Sequence, residues 1–266
     1  MDKLTPVGRV FFGIAFIGLG LEHFVYRQFV TGRAPPWPDA IPGEPVWAWL
    51  TGFVVIAAGI AILSGKMARA AALALGLLVF GWALLRHIPV LAASEILSPD
   101  WTRAVKALAF VGGAAAVAAT FPPLATARTT PVTRFMNQDA AFMTAARICL
   151  AVFMINNGIQ HFIFTEFVAS LVPAWVPGNP VFWTYFSAAA LFAGAVGMLV
   201  PPTARLAALL TGLMVFLWVW IVHVPRVFVS VSDNIAVFEA LAIAGIALVL
   251  AGYRPQRESA YAPQVA

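Results

Sequence analysis

Eight long apolar segments constrain the fold of this chain more than any other feature of its sequence. They lie at about residues 6–26, 46–64, 68–90, 102–121, 144–164, 180–200, 204–225 and 234–252. A helix of about 20 apolar residues crosses the hydrocarbon core of a bilayer. Lipid offers no hydrogen-bond partners, so a backbone that crosses it must satisfy its own polar groups. The segments therefore predict an all-α, polytopic membrane bundle of eight transmembrane helices.

The composition agrees with a membrane location. Hydrophobic residues make up 62% of the chain and charged residues 10%, whereas a soluble domain has about 45–50% and about 25%. The single cysteine, Cys149, excludes an intrachain disulfide, a dithiol relay and a cysteine-rich zinc or iron–sulfur site. The net charge of +5 comes from basic residues spread singly between the apolar runs. This spacing favours contact with lipid headgroups and argues against nucleic acid as a partner.

The second half of the chain repeats the first in sequence. Residues 20–24 (GLEHF) recur as 158–162 (GIQHF), and other matched residues keep an offset of 133–138 positions. Chance similarity between apolar helices does not keep histidine, tryptophan and proline in register, so the pattern indicates an internal duplication. Each repeat holds four predicted spans, an even number, so we expect two tandem four-helix repeats in parallel orientation.

The duplication predicts four parts along the chain. They are a first four-helix repeat at residues 1–121, a polar, proline-containing linker at 122–143, a second repeat at 144–252 and a polar tail at 253–266. Ten basic residues fall on the side of the two termini and six on the other side. Because basic residues are enriched in cytoplasmic loops, this bias predicts an inner- or plasma-membrane protein with both termini in the cytoplasm.

The four histidines of the chain form two repeated pairs. His23 pairs with His161, and His87 pairs with His223, each near the extracytoplasmic end of a predicted helix. Imidazole binds metals, moves protons and hydrogen-bonds acceptors such as a quinone carbonyl near neutral pH. Polar and aromatic neighbours complete a candidate ligand site: Glu22, Gln160, Asn157, Arg86, Arg226, Trp37, Trp175, Trp82 and Trp218.

These residues also have a purely structural interpretation. A histidine at a helix C-terminus caps free carbonyls there, and tryptophans form belts at membrane interfaces. The proline-rich loops that contain Trp37 and Trp175 are either lids over the histidines or interfacial anchors. The sequence leaves both interpretations open and predicts no dedicated metal site.

Two charged residues lie deeper in the predicted bilayer. Lys106 in the fourth span and Glu239 in the eighth occupy matching positions of the two repeats. The pattern predicts an ion pair across the interface between the repeats. Such a pair either fixes the two halves together or acts as a proton relay or substrate counter-ion.

Three features resemble the DoxX-like family of small four-helix membrane proteins. They are the GLEHF end of the first span, a following loop with Pro35, Trp37 and Pro38, and the fourth-span sequence KALAFVGGA at residues 106–114. The chain resembles two such units fused, with Glu239 in place of the lysine and one glycine, Gly245, aligned with the glycine pair. The resemblance implies a small subunit of a thiosulfate–quinone oxidoreductase or terminal quinol oxidase, or an accessory partner of a redox enzyme. It transfers no set of catalytic residues.

Sequence and resemblance together predict a membrane subunit of a redox system that binds a quinone or a similar lipophilic ligand. Quinone is the candidate cofactor, ahead of haem, and the predicted partners are membrane lipid and a redox-enzyme subunit. Three alternatives stay open. They are a transporter for a small solute or lipid, a haem or metal protein with histidine ligands, and an assembly or scaffold protein without chemistry of its own.

Overall fold

Every regular element in the described part of the chain is a helix. The structure, a computed structural model, describes residues 3–29, 37–125 and 130–254. Pro35 and Pro36 of the first proline-rich loop, and residues 255–266 of the predicted tail, lie outside these ranges.

The first half contains four long helical segments. They are α1 (Leu4–Tyr26), α2 (Glu44–Ser64), α3 (Ala68–Trp82), which continues through a π-helical turn (Ala83–His87) into α4 (Ile88–Ala93), and α5 (Pro99–Ala118). A short α6 (Pro131–Phe135) lies between the halves. It falls within the predicted linker, as does the first turn of the next long helix.

The second half follows the same order of long segments. They are α7 (Asp139–Ile163) with the short α8 (Thr165–Ser170), α9 (Pro180–Leu199), α10 (Ala204–Trp218), which continues through a π-helical turn (Val219–His223) and a 3-10 turn (Val224–Arg226), and α11 (Val231–Gly252).

Among the described residues, seven helical segments are long and apolar enough to cross a membrane. They include all the long segments named above except α5, which has 20 residues. The first turns of α5 carry Asp100, Arg103 and Lys106, and these charges lower its hydropathy. The chain is therefore a polytopic helical membrane protein, and the expected count of eight spans depends on α5.

Local sequence determines where several of these helices begin and end. The side chain of Asn179 accepts a hydrogen bond from the backbone N–H of Val181, and Ser230 does the same for Asp233. Such caps satisfy N–H groups that have no partner inside the helix. Gly65 ends α2 with φ of 74°, a left-handed conformation that glycine adopts without steric cost.

The two halves pack through the first helix of one and the last helix of the other. The helix α1 packs against α2 and α11, whereas α7 packs against α9 and α5. Of the seven candidate spans, α11 is the most buried inside the protein. In its most apolar stretch 78% of the residues are buried, compared with at most 44% in each of the other six spans. A Cβ on Gly8 would lie 2.6 Å from the carbonyl oxygen of Gly245, so glycine is required where α1 crosses α11.

A π-helical turn interrupts one helix in each half of the chain. Ala83–His87 is followed by Pro89, and Val219–His223 is followed by Pro225. A proline lacks the backbone N–H, and its ring clashes with the carbonyl four residues earlier. An extra residue in the turn relieves that clash. Turns of this kind occur frequently at functional sites.

A buried arginine, Arg69, joins several elements at the end of the bundle away from the π-helical turns. The guanidinium of Arg69 donates hydrogen bonds to the carbonyl oxygens of Ala118, Phe121 and Met136 and lies 2.6 Å from Asp139 Oδ1. Arg69 therefore joins the start of α3 to the end of α5, the connection between the halves and the start of α7.

Candidate ligand site

A cavity of about 140 Å³ lies among α1, α2, α3, α5 and α11. It is near the end of the bundle that carries all four histidines, which we call the histidine end. Apolar residues form most of its wall, among them Phe16, Leu19, Val55, Leu78 and Phe110. The polar residues that line it are His23, Thr51, Arg86, His87, Arg103, Lys106 and Glu239.

His23 reaches the cavity from the last turn of α1. Its Nδ1 lies 2.7 Å from the carbonyl oxygen of Leu19. A carbonyl oxygen can only accept, so Nδ1 carries the hydrogen and Nε2 of the neutral ring is left as an acceptor. The ring is buried and meets Phe29 edge-on at 5.9 Å between centroids.

His87 comes from the π-helical turn. It is the last residue of that turn, and both it and Arg86 are buried. Arg86 and His87 both line the cavity, as do the adjacent pairs Leu78 and Val79 of α3 and Lys106 and Ala107 of α5. The turn adds one residue to the helix and so sets the direction in which His87 leaves it.

Three aromatic rings and one arginine cover part of the site. The rings of Phe29 and Trp37 stack at 4.9 Å, and Phe29 meets Trp82 at 4.5 Å. The guanidinium carbon of Arg86 lies 5.3 Å from the Trp37 centroid and 5.7 Å from the other two. This is cation–π geometry, which holds Arg86 among the rings.

Lys106 and Glu239 form a buried ion pair in the cavity wall. The Nζ atom lies 2.7 Å from Oε2, and the side chains are 11% and 7% exposed. Lys106 belongs to α5 and Glu239 to α11, so the pair joins the two halves of the chain. Arg103, one turn before Lys106, pairs with Asp100 at 2.7 Å.

The polar residues of α7 pack against the first half instead of lining this cavity. The amide nitrogen of Gln160 donates to the carbonyl oxygen of Leu97 at 2.6 Å. Asn156 donates to the hydroxyl of Thr102 at 3.0 Å. Asn157 donates to a carbonyl of its own helix, at Phe153. The bonds of Gln160 and Asn156 hold α7 against the start of α5 and the residues just before it.

The remaining candidates lie apart from the cavity. His161 faces Trp218, with ring centroids 6.5 Å apart, and Arg226 pairs with Asp233 at 2.8 Å. Trp175 is 66% exposed. Glu22 is buried beside His23, but neither it nor His223 is among the residues that line the cavity. Of the four histidines, the structure thus brings His23 and His87 to one cavity.

The sequence pattern does not single out Phe29 or Arg103, although both line the cavity. The repeat could have indicated Phe29, because the offset that pairs Trp37 with Trp175 also pairs Phe29 with Phe167. Arg103 is matched by an alanine, Ala236, so the repeat gives no indication of its role.

Among the described residues, no group of three histidine, cysteine or acidic side chains is placed to hold a metal ion. The cavity instead combines apolar walls with several hydrogen-bond donors. It can hold a small apolar ring with acceptor atoms.

Comparison with known proteins gives two family matches. Residues 150–251 match a domain of unknown function, DUF8561. Residues 4–88 match the DoxX family model. Neither the curated proteins nor the solved structures give a significant match. The matched segment 4–88 contains α1, α2, α3 and both histidines of the cavity, and over this segment the predicted resemblance to the DoxX family is confirmed.

Proposed function

We propose that this integral membrane protein binds a quinone-type lipophilic ligand in the cavity of its first half, as a membrane subunit of a redox system. The observation that carries the proposal is the lining of the cavity. His23 and His87 both line a cavity whose wall is mainly apolar. Most small-molecule sites combine apolar walls with a few placed polar groups in this way.

The cavity volume supports a ligand with a single ring. An apolar cavity of about 150 Å³ holds one benzene molecule, and the cavity here has about 140 Å³. A benzoquinone ring is of that size. The isoprenoid tail of a membrane quinone therefore lies outside the cavity, among the helices or in lipid.

The cavity wall offers hydrogen-bonding groups for both the quinone and the quinol form of a benzoquinone ring. Quinone carbonyls accept hydrogen bonds, and Arg86, Arg103 and Lys106 are donors on the cavity wall. A quinol hydroxyl donates, and the Nε2 of His23 is an acceptor. Reduction of a quinone takes two electrons and two protons, and we propose that a partner redox enzyme supplies the electrons and solvent water supplies the protons.

We also propose that the chain crosses the membrane eight times, as two parallel four-helix repeats with both termini in the cytoplasm. The repeated sequence motifs and the matching order of long helices and π-helical turns support it. So does α5, which is packed between α3 and α7 despite its charges.

Tryptophan fluorescence of the purified protein tests ligand binding. We expect saturable quenching by decylubiquinone, a single-ring benzoquinone with a short alkyl tail. His87→Ala removes one hydrogen-bonding group, a loss of about 1 kcal/mol, and is expected to raise Kd about fivefold. The matched control His223→Ala lies outside the cavity and is expected to bind as wild type. Absence of saturation, or equal effects of the two substitutions, contradicts the proposal.

A further inference from the structure

We propose that each chain binds one ligand, and that the second half completes the site of the first half instead of forming its own. Glu239 is the contributing residue, and it positions the ammonium of Lys106 at the cavity wall. This inference rests on the proposed function and adds to it the stoichiometry and the role of the second half.

The lining of the cavity is unequal between the halves. The described residues that line it all lie between positions 16 and 110, with the exception of Glu239. Glu239 is also the one acidic residue among them. The second half therefore contributes one carboxylate to a wall that the first half otherwise builds.

The second half lacks the basic residues of the first at matched positions. The sequence repeat pairs Arg86 with Val222, Arg103 with Ala236 and Lys106 with Glu239. The donor groups that suit a carbonyl-bearing ring are thus present in one half and replaced in the other.

The aromatic cover is unequal too. Phe29 is buried against Trp37 and Trp82. The matched residues Phe167 and Trp175 are 65% and 66% exposed. Phe29 and Trp37 therefore pack together beside the cavity of the first half, whereas their counterparts Phe167 and Trp175 face the surroundings.

The ion pair links the second half to the site. A lone ammonium in a low-dielectric wall is costly, and a carboxylate at 2.7 Å offsets much of that cost. The direction of the Lys106 side chain then depends on where α11 places Glu239. Glu239 is a positioning residue, because it acts on the ligand through Lys106.

Two measurements test this inference. Calorimetric titration of the wild-type protein in detergent with decylubiquinone is expected to give one site per chain. A charge exchange, Lys106→Glu with Glu239→Lys, keeps an ion pair between α5 and α11 but moves the ammonium to the other helix. We expect the exchanged protein to keep its thermal unfolding temperature and to bind about tenfold more weakly. Glu239→Gln, which keeps the shape of the side chain, is expected to weaken binding as well.

The outcomes separate the two proposals. Two equivalent sites per chain overturn the inference and leave the proposed function standing. Wild-type affinity in the charge-exchanged protein shows that the pair only joins the helices, and it also overturns the inference. If the exchanged protein fails to fold, wild-type affinity in Glu239→Gln has the same meaning. Absence of any saturable binding overturns the proposed function itself.

Discussion

Charged residues are buried at both ends of the bundle, and their surroundings differ. At the histidine end, Lys106 and Glu239 line a cavity. At the other end, Arg69 is 2% exposed and is surrounded by carbonyl oxygens and Asp139. Burial of a charge therefore does not by itself identify a ligand site. Lys106 and Glu239 differ from Arg69 in that they line a cavity, where a ligand has room to bind.

The contacts of Arg69 predict a large loss of stability when it is removed. Arg69→Met leaves several carbonyl oxygens and one carboxylate without their donor, at a cost of about 3 kcal/mol. A loss of that size lowers Tm by about 5–10 °C. Thermal unfolding in detergent measures it. The exposed Lys66→Met near the same end is the control and is expected to unfold as wild type. Equal Tm values for the two variants would contradict the assigned role of Arg69.

Single elements determine which residues reach the cavity. The π-helical turn Ala83–His87 carries Arg86 and His87, which both line the cavity. The sequence predicts the helix, and it contains Pro89, a residue type that ends or kinks a helix. It does not predict the π-helical geometry, because this span is apolar on most of its faces, so the change of phase of about 100° caused by one extra residue leaves no visible break in its pattern.

This role of the turn predicts the effect of replacing its proline. Pro89→Ala restores the missing N–H and removes the clash with the carbonyl of Leu85, so a regular α-helix becomes possible. Such a change rotates His87 by about 100° relative to the preceding helix. We expect decylubiquinone affinity to fall about tenfold without loss of thermal stability.

Pro225→Ala is the matched control for this substitution. It follows the corresponding turn in the second half, Val219–His223, which does not line the cavity. Wild-type affinity is expected. Unchanged binding in Pro89→Ala would show that the π-helical turn has no part in the site.

At the scale of the molecule, the helices are predictable and their arrangement is not. The apolar segments agree with the long helices to within a few residues at most ends, because span length is fixed by the bilayer. The pairing of α1 with α11 does not follow from them. Helices in lipid associate through close packing of small residues, as at Gly8 and Gly245, which hydropathy does not reveal.

The sequence repeat also does not predict that matched residues of the two halves differ in their contacts. Trp37 and Trp175 are matched in sequence, yet Trp37 stacks on Phe29 and Trp175 is 66% exposed. A repeat in sequence predicts equal local structure. It does not predict which of the matched aromatic residues pack against one another, since that depends on side chains contributed by neighbouring helices.

Photoaffinity labelling with an azido-benzoquinone, followed by peptide mapping, tests most directly whether the first-half cavity is the ligand site. We expect light-dependent labelling in α1, α3 and α5 near Phe16, Val79 and Phe110, and excess decylubiquinone is expected to suppress it. Labelling concentrated in α7, α9 or α10, or labelling that excess decylubiquinone does not reduce, would contradict a quinone site in the first half.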